Sequence, residues 1–340
     1  MKLEDFAASG SAATIPSPVS RETEFWDLVA DELGRSRPVL LAVVASCRKG
    51  SPGTPGAKML VLQDGQTVGT IGGGIMEARA LERARATLDA GAAPPMLVEV
   101  DHQQRSTRPS GLICGGGQIN AFVRIDPSRD CDTVRRFVAN MKSETPSYLE
   151  ISPEGLTLAK RASAGLYSQK LQRNSERWKL EIGAINLKRC AIFGAGHCGR
   201  ALARQMRWLG YNVSIFDARP SQRAMLGDWE TEQSDIGHPR EAYIKVRFPQ
   251  RTAAIVMTHS YESDIDALGV AIEQEFPFIG LMGSPPKLER IRKSLANMGC
   301  SQTQIDRIVC PVGLNVGSDT PEEIAVSIAA QILSLGGAGQ

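Results

Sequence analysis

The stretch "RCAIFGAGHCGRALARQMRWLG" (189–210) decides how the C-terminal half of the chain is read. An apolar run, 189–193, leads into a glycine loop, and the loop leads into an amphipathic run. The order is strand, turn, helix. Gly194, Gly196 and Gly199 have the G-x-G-x-x-G spacing of a dinucleotide-binding turn. In such a turn the glycines serve a tight bend, a close approach to a pyrophosphate and close helix–strand packing. Asp217 follows the next strand-like run, "NVSIF" (212–216), where an acid can accept from a ribose hydroxyl. His197 and Cys198 lie inside the loop, where variable positions are the simpler reading. His197 is carried with the loop as a candidate contact.

Outward from this stretch, strand and helix patterns alternate. "AAIVMT" (253–258) and "PFIGLMG" (277–283) read as strands, and 264–275, 286–299 and 320–333 as helices. The last opens with Thr320-Pro321 and Glu323, a capping box with proline at the first helical position. Alternation of this kind predicts a parallel sheet covered on both faces. His259 stands at the C-terminal end of a predicted strand, the binding edge of such sheets, and is a candidate ligand contact.

The first half has a different grammar. A helix is expected over 21–34, with Ser20 as its cap, and a buried strand over 38–46. Asp64-Gly65 joins two strand-like runs as a hairpin turn. "GTIGGGIME" (69–77) then sets Gly72, Gly73 and Gly74 at the mouth of a helix, where exposed amides and the helix dipole favour an anion such as a phosphate. A tight strand-to-helix turn without a ligand fits the same residues equally well. Glu77, in the first turn, complements the dipole. "LICGGG" (112–117) puts Cys114 before Gly115 and Gly116, in a setting that leaves a thiol accessible and near amide donors. Such a thiolate can bind a soft metal or carry sulfur. The stretch 141–186 is polar and mixed, with short strand-like pieces. The expected organisation is an N-terminal α+β domain (20–140), a connector (141–186) and a Rossmann-like doubly wound parallel sheet (187–335), an α/β protein.

The composition excludes several classes. With 340 residues, a net charge of +2, 42% hydrophobic and 22% charged residues, the chain has the makeup of a soluble globular protein of two domains. Near neutrality argues against nucleic acid or a membrane surface as partner. No apolar run spans a bilayer, and the first twenty residues read as a flexible lead-in rather than a secretory leader. Seven cysteines without a CxxC pair suggest neither a disulfide framework nor a zinc knuckle, and a reducing cytoplasm is the expected location. A dehydrogenase needs a positioned proton-transfer group. Four histidines are present, at 102, 197, 238 and 259, and no oxidoreductase signature emerges.

Taken together, the segments starting at "KGSPGTPGAK" (49–58), "ICGGG" (113–117), "AIFGAGHCGRALARQ" (191–205), "VMTHS" (256–260), "IGLMGSPPKLERI" (279–291) and "CPVGLNVGSDTPEEIA" (310–325) resemble, in order, the XdhC/CoxI family. These are accessory proteins for the maturation of xanthine dehydrogenase-type molybdenum hydroxylases. The resemblance covers about 38–125 and 186–335. It implies a cofactor chaperone rather than a metabolic enzyme. Such a chaperone binds the molybdenum cofactor (molybdopterin, in mono- or dinucleotide form), protects it during sulfuration and delivers it to an apo molybdenum hydroxylase. The implied partners include a cysteine desulfurase, and a homodimer is expected. The family's motifs fall here on Gly72, Gly73 and Gly74, on Cys114, Gly115 and Gly116, and on Gly194, Gly196 and Gly199, with Cys114 facing the metal. Two positions depart from the family pattern. "GSPGTPG" stands where a basic residue often precedes the proline, and Ser260 stands where Asp often follows the histidine. Two rival expectations remain: an NAD(P)-dependent oxidoreductase with an unrecognised substrate domain, and a scaffold protein in which the glycine loops are structural.

Overall fold

Strand β1 (Val39–Cys47) is apolar on both of its sides, and the N-terminal half is built on it. The computed structural model describes residues 18–91, 93–101, 116–160, 166–175, 177–223, 243 and 245–336. Around β1 stand β2 (Lys58–Val61), β3 (Thr67–Gly69), β4 (Met96–Asp101) and β5 (Gly117–Ile125), in the antiparallel order β3-β2-β1-β5-β4. Because side chains alternate along a strand, β1 feeds two cores. Leu41, Val43 and Ala45 face one that includes Phe25, Trp26 and Val29 of α1 (Pro18–Gly34). Leu40, Ala42 and Val44 face another that includes Ala80 and Ala84 of α2 (Gly74–Asp89). α1 starts at Pro18, so Ser20, expected as its cap, lies inside the helix.

Helix α3 (Pro127–Lys142) follows β5, capped by the Asp126 side chain on the Ser128 amide. Its Phe137 meets Trp26 edge-on, with ring centroids 5.1 Å apart. The stretch expected as a connector then forms a second antiparallel sheet, of β6 (Ser147–Ser152), β7 (Gly155–Lys160), β8 (Gln169–Arg173) and β9 (Trp178–Gly183), in the order β7-β6-β9-β8. It belongs to the first compact unit, Arg21–Asn186, and its Leu149, Ile151 and Leu180 share that unit's core. A β-bulge between Val44 and Ser46 breaks the β1–β5 register. Gln169 Nε2 answers it by donating to the Val44 and Ala45 carbonyls, each at 3.0 Å.

The other compact unit, from Leu187 onward, carries β10 (Arg189–Phe193), β11 (Asn212–Phe216), β12 (Thr252–Val256), β13 (Phe278–Leu281) and β14 (Ile308–Val309). Every pair is parallel, in the order β11-β10-β12-β13-β14. Between the strands run α4 (His197–Trp208), the single turn α5 (Pro220–Arg223), α6 (Tyr261–Ala271), α7 (Pro285–Asn297) and the single turn α8 (Gln302–Ile305), and after β14 comes α9 (Pro321–Gly336). α4 and α9 supply one core with Cys190 and Ile192, while α6 and α7 supply the opposite core with Ala191 and Phe193. The sheet is thus covered on both faces, a Rossmann-like doubly wound α/β arrangement, as the alternation predicts, while the N-terminal unit is α+β. The capping box of α9 also forms: Glu323 N–H donates to Thr320 Oγ1 at 3.3 Å, and the Glu323 carboxylate accepts from Thr320 N–H at 2.9 Å. Among the described residues no helix is long and apolar enough to cross a membrane.

A charge cluster around buried Glu181 ties the second sheet together. Glu181 is fully buried, accepts from the Tyr167 hydroxyl and pairs with Lys179 Nζ at 3.0 Å. Lys179 also reaches Glu150 at 3.1 Å. Burial pushes the Glu181 carboxyl up, but the Tyr167 hydroxyl and the Lys179 ammonium outweigh it and hold it at about 2, below the ordinary 4.5. A carboxylate held low stabilises the fold above its unfolded pKa, and that contribution disappears as the pH falls toward its folded one. Tyr167→Phe removes one donor and is expected to cost about 1–3 kcal/mol. Urea unfolding should show this loss at pH 7, and the gap to the unmodified protein should narrow between pH 4.5 and 2.

Candidate functional site

The ends of the parallel strands bring most of the C-terminal candidates to one edge. The order β11-β10-β12 places the topological switch between β10 and β12, where ligands of such sheets bind. Gly194 sits there at φ 125°, and a Cβ on it would come within 2.2 Å of the Met257 carbonyl at the end of β12. A Cβ on Gly199 would come within 1.9 Å of the Gly194 carbonyl. Backbone packing therefore demands glycine at both positions. Gly196 differs, since a Cβ there would meet nothing within 4 Å. It is the N-cap of α4 and supplies no capping side chain. The first amides of α4 consequently open toward space with the positive end of the helix dipole behind them, which suits an anion.

Asp217 ends β11 as expected and is all but buried, its side chain 3% exposed. Its carboxylate turns inward. It accepts from the Ala195 amide at 2.7 Å, the Arg219 amide and Nε at 2.9 Å each, and Arg219 Nη2 at 2.7 Å. Burial works to raise this carboxyl, but these donors outweigh it and hold it below the ordinary 3.8. His197 is exposed in the first turn of α4, with Nδ1 3.3 Å from Arg200 Nη2. Arg200 Nη1 donates to the Ala195 carbonyl at 3.3 Å and to Gln222 Oε1 at 3.1 Å.

His259, exposed, follows β12 at the same edge. An ion pair on buried Asp264 fixes the loop that carries it. Asp264 Oδ1 accepts from the Thr258 amide at 3.1 Å and its hydroxyl at 2.6 Å, and the other oxygen pairs with Lys287 Nζ. Lys287 also donates to the Met282 carbonyl at 3.1 Å, which ties the end of β12 to the end of β13. Ser260, at the position that departs from the family pattern, caps α6 through the Ser263 amide.

In the N-terminal unit the glycine mouth of α2 is already filled from within. The Glu77 carboxylate accepts from the Gly73 amide at 3.1 Å and from Thr70 Oγ1 at 2.5 Å, and the Gly72 amide donates to Thr70 Oγ1 at 3.2 Å. Gly72, at φ 122°, lies where a Cβ would come within 2.9 Å of the Gly53 amide. Gly116 presses on the same loop, with a Cβ position 2.4 Å from the Ser51 amide. The segments around Ser51, Ile71 and Gly116 thus converge. Buried Gln118 pins them: Oε1 accepts from Ser51 Oγ at 2.9 Å and the Gly53 amide at 3.3 Å, while Nε2 donates to the Ile71 carbonyl at 3.1 Å and Asn120 Oδ1 at 2.9 Å. Gly74, the first residue of α2, is exposed. Cys114 and Gly115, like His102 and His238, lie outside the described residues. Among the described residues no group of three or more His, Cys, Asp or Glu could hold a metal ion.

Reading the sequence missed Gln118, Arg200, Arg219, Asp264 and Lys287. Arg219 had a visible signal, an arginine two residues beyond the strand-ending acid. The role of Gln118 depends on three loops meeting, which no local pattern encodes.

This edge and its glycine turn agree with what known proteins share. The family model described as the XdhC Rossmann domain matches residues 190–332, and that of the XdhC and CoxI family matches residues 33–101. The chain belongs to the XdhC/CoxI family. A relative designated YqeB, from Escherichia coli (strain K12), is 26% identical over 88% of this chain, which spans only 43% of that protein's length. A Bacillus subtilis (strain 168) protein, named as a probable subunit of xanthine dehydrogenase, is 24% identical over 86% of this chain and 92% of its own. The molybdenum cofactor insertion chaperone PaoD of Escherichia coli (strain K12) is 22% identical, over 90% of this chain and 86% of its own. A crystal structure described as a xanthine dehydrogenase from Bacillus halodurans shares the fold, with a TM-score of 0.71 and 21% identity over 94% of this chain and 96% of that one.

The junction in the N-terminal unit gives a direct test. Gln118→Ala would strand the Ile71 carbonyl and the Gly53 amide without their partner, and should cost about 2–4 kcal/mol. Chemical denaturation of the purified chain would show a lower midpoint. An unchanged midpoint would mean that the loops converge without Gln118.

Proposed function

We propose that the chain is an accessory protein that holds the molybdenum cofactor and hands it to a xanthine dehydrogenase-type hydroxylase. The observation that carries this reading is the open mouth of α4: a glycine turn with no capping side chain, on a domain of the XdhC Rossmann type. The names of PaoD and of the Bacillus subtilis relative point the same way.

The cofactor is a pterin that bears a phosphate and a dithiolene-held molybdenum. The residues present suit the phosphate end. Amides of Gly196 and His197 can meet an anion at the start of α4, and Arg200 and Arg219 add positive charge beside it. The fit is poorer at Gly72, Gly73 and Gly74, where Glu77 already occupies the Gly73 amide. In this reading those glycines shape the junction with the 50–53 loop rather than grip a phosphate. Cys114 is the thiol assigned to the metal end, and His259 a contact at the strand edge. When bound, the cofactor supplies the molybdenum centre that the hydroxylase uses. The chain's own work is to hold the phosphate, shield the metal end and release both to its partner. A cysteine desulfurase as sulfur donor and a homodimeric state complete the proposal.

Purification from a molybdenum-replete host, followed by oxidation and fluorescence assay for pterin, tests it. The expected result is bound molybdopterin, with loss of most of it in Cys114→Ala. Bound NAD(P) without pterin would instead favour an oxidoreductase.

A further inference from the structure

We infer that the nucleotide edge of the C-terminal unit recognises a phosphomonoester and not a ribose diol, and that Arg219 sets this preference. The inference rests on the cofactor-carrier reading and narrows it.

In Rossmann domains the acid that ends the second strand accepts from the ribose of an unphosphorylated dinucleotide, while a nearby arginine accommodates a 2′-phosphate. A carboxylate offers about four lone-pair sites on its two oxygens. Four donors already occupy those of Asp217: the Ala195 amide and Arg219 Nη2 on Oδ2, at 2.7 Å each, and the Arg219 amide and Nε on Oδ1, at 2.9 Å each. The side chain is 3% exposed. A ribose diol would have to displace the loop amide or the guanidinium, exchanging a charge-assisted bond for a weaker neutral one. Asp217 is therefore a structural anchor of the glycine turn.

The same bonds hold Arg219 in place at the turn with a third of its side chain still exposed. Arg200 is held on the other side of the same residue, through the Ala195 carbonyl at 3.3 Å, and stands beside His197. Two guanidinium groups are thus anchored around Ala195, next to the uncapped start of α4. A phosphomonoester carries close to two negative charges at neutral pH and three acceptor oxygens, which suits planar donor forks. A ribose offers no charge, and a phosphodiester offers less. The ligand chemistry has two sources: the terminal phosphate of the pterin in its mononucleotide form, or the 2′-phosphate of NADP.

The test compares the unmodified full chain with Arg219→Ala and Arg219→Lys. Calorimetric titration with NADP+ and NAD+ addresses one source, and molybdopterin content after isolation from a molybdenum-replete host addresses the other. If the phosphate is that of the dinucleotide, NADP+ binds at least tenfold more tightly than NAD+, and Arg219→Ala abolishes the difference. If it is that of the pterin, neither dinucleotide binds, Arg219→Ala retains at least fivefold less molybdopterin, and Arg219→Lys retains an intermediate amount. Thermal midpoints check that the variants fold. Should Arg219→Ala unfold, 2′-AMP against adenosine on the unmodified chain replaces the dinucleotide comparison, and Arg219→Lys replaces the pterin one. NAD+ binding as tightly as NADP+, or no change in ligand or pterin binding on altering Arg219, overturns the inference. An unmodified chain that carries no pterin yet prefers NADP+ overturns the chaperone reading alone. Pterin retained in full by both variants, without NADP+ preference, overturns this inference alone.

Discussion

The carboxylate of Asp217 is the interaction on which the C-terminal site depends. It joins the end of β11 to the amide of Ala195 and so fixes the turn that Gly194 begins. The turn in turn presses Gly194 onto the Met257 carbonyl and Gly199 onto the Gly194 carbonyl, so that α4 starts directly over the switch point of the sheet. Three strand ends and one helix start are thereby locked by contacts that leave no room for a side chain. What remains open is Gly196 and the amides that follow it. Rigid packing on one side and open space on the other are what a preformed anion site requires.

The two glycine-rich helix mouths of this chain have different chemical states. At α2 an internal carboxylate, Glu77, sits on the Gly73 amide and makes the anion contact itself. At α4 no side chain does so, and the surrounding charge comes from Arg200 and Arg219. Sequence spacing treats the two loops alike, yet only one faces outward unfilled. In the proposed reading, this contrast favours the C-terminal unit as the holder of the cofactor's phosphate and gives the glycines of the N-terminal unit a packing role around Gln118.

Much of the architecture was legible in the residues. The run 189–199 announced the strand and turn because its glycine spacing has a steric cause, and the Thr320–Glu323 pair announced the start of α9 because it satisfies orphan amides. The sheet made by 147–183 was harder to see. Its polar residues include Lys179, Glu150 and buried Glu181, and Lys179 pairs with Glu181 along its own strand and with Glu150 across to β6. Helix α3 was missed for a related reason: its apolar positions are few, although Val134, Phe137 and Val138 have helical spacing. At the site, the sequence located Asp217 correctly but not the direction of its carboxylate. That direction depends on Ala195 and Arg219 converging, a tertiary fact. Cys114 and Gly115, which the family resemblance singles out, lie outside the described residues and stay with the proposal.

The inward engagement of Asp217 is the central claim and can be observed at the carboxyl carbon itself. Carbon-13 NMR of the aspartate-labelled chain, assigned with Asp217→Asn, should show this group titrating below the ordinary 3.8. Its resonance should also stay unmoved when NAD+ is added. A titration at or above 3.8, or a resonance that shifts with NAD+, would show the carboxylate available to a ribose and contradict the account.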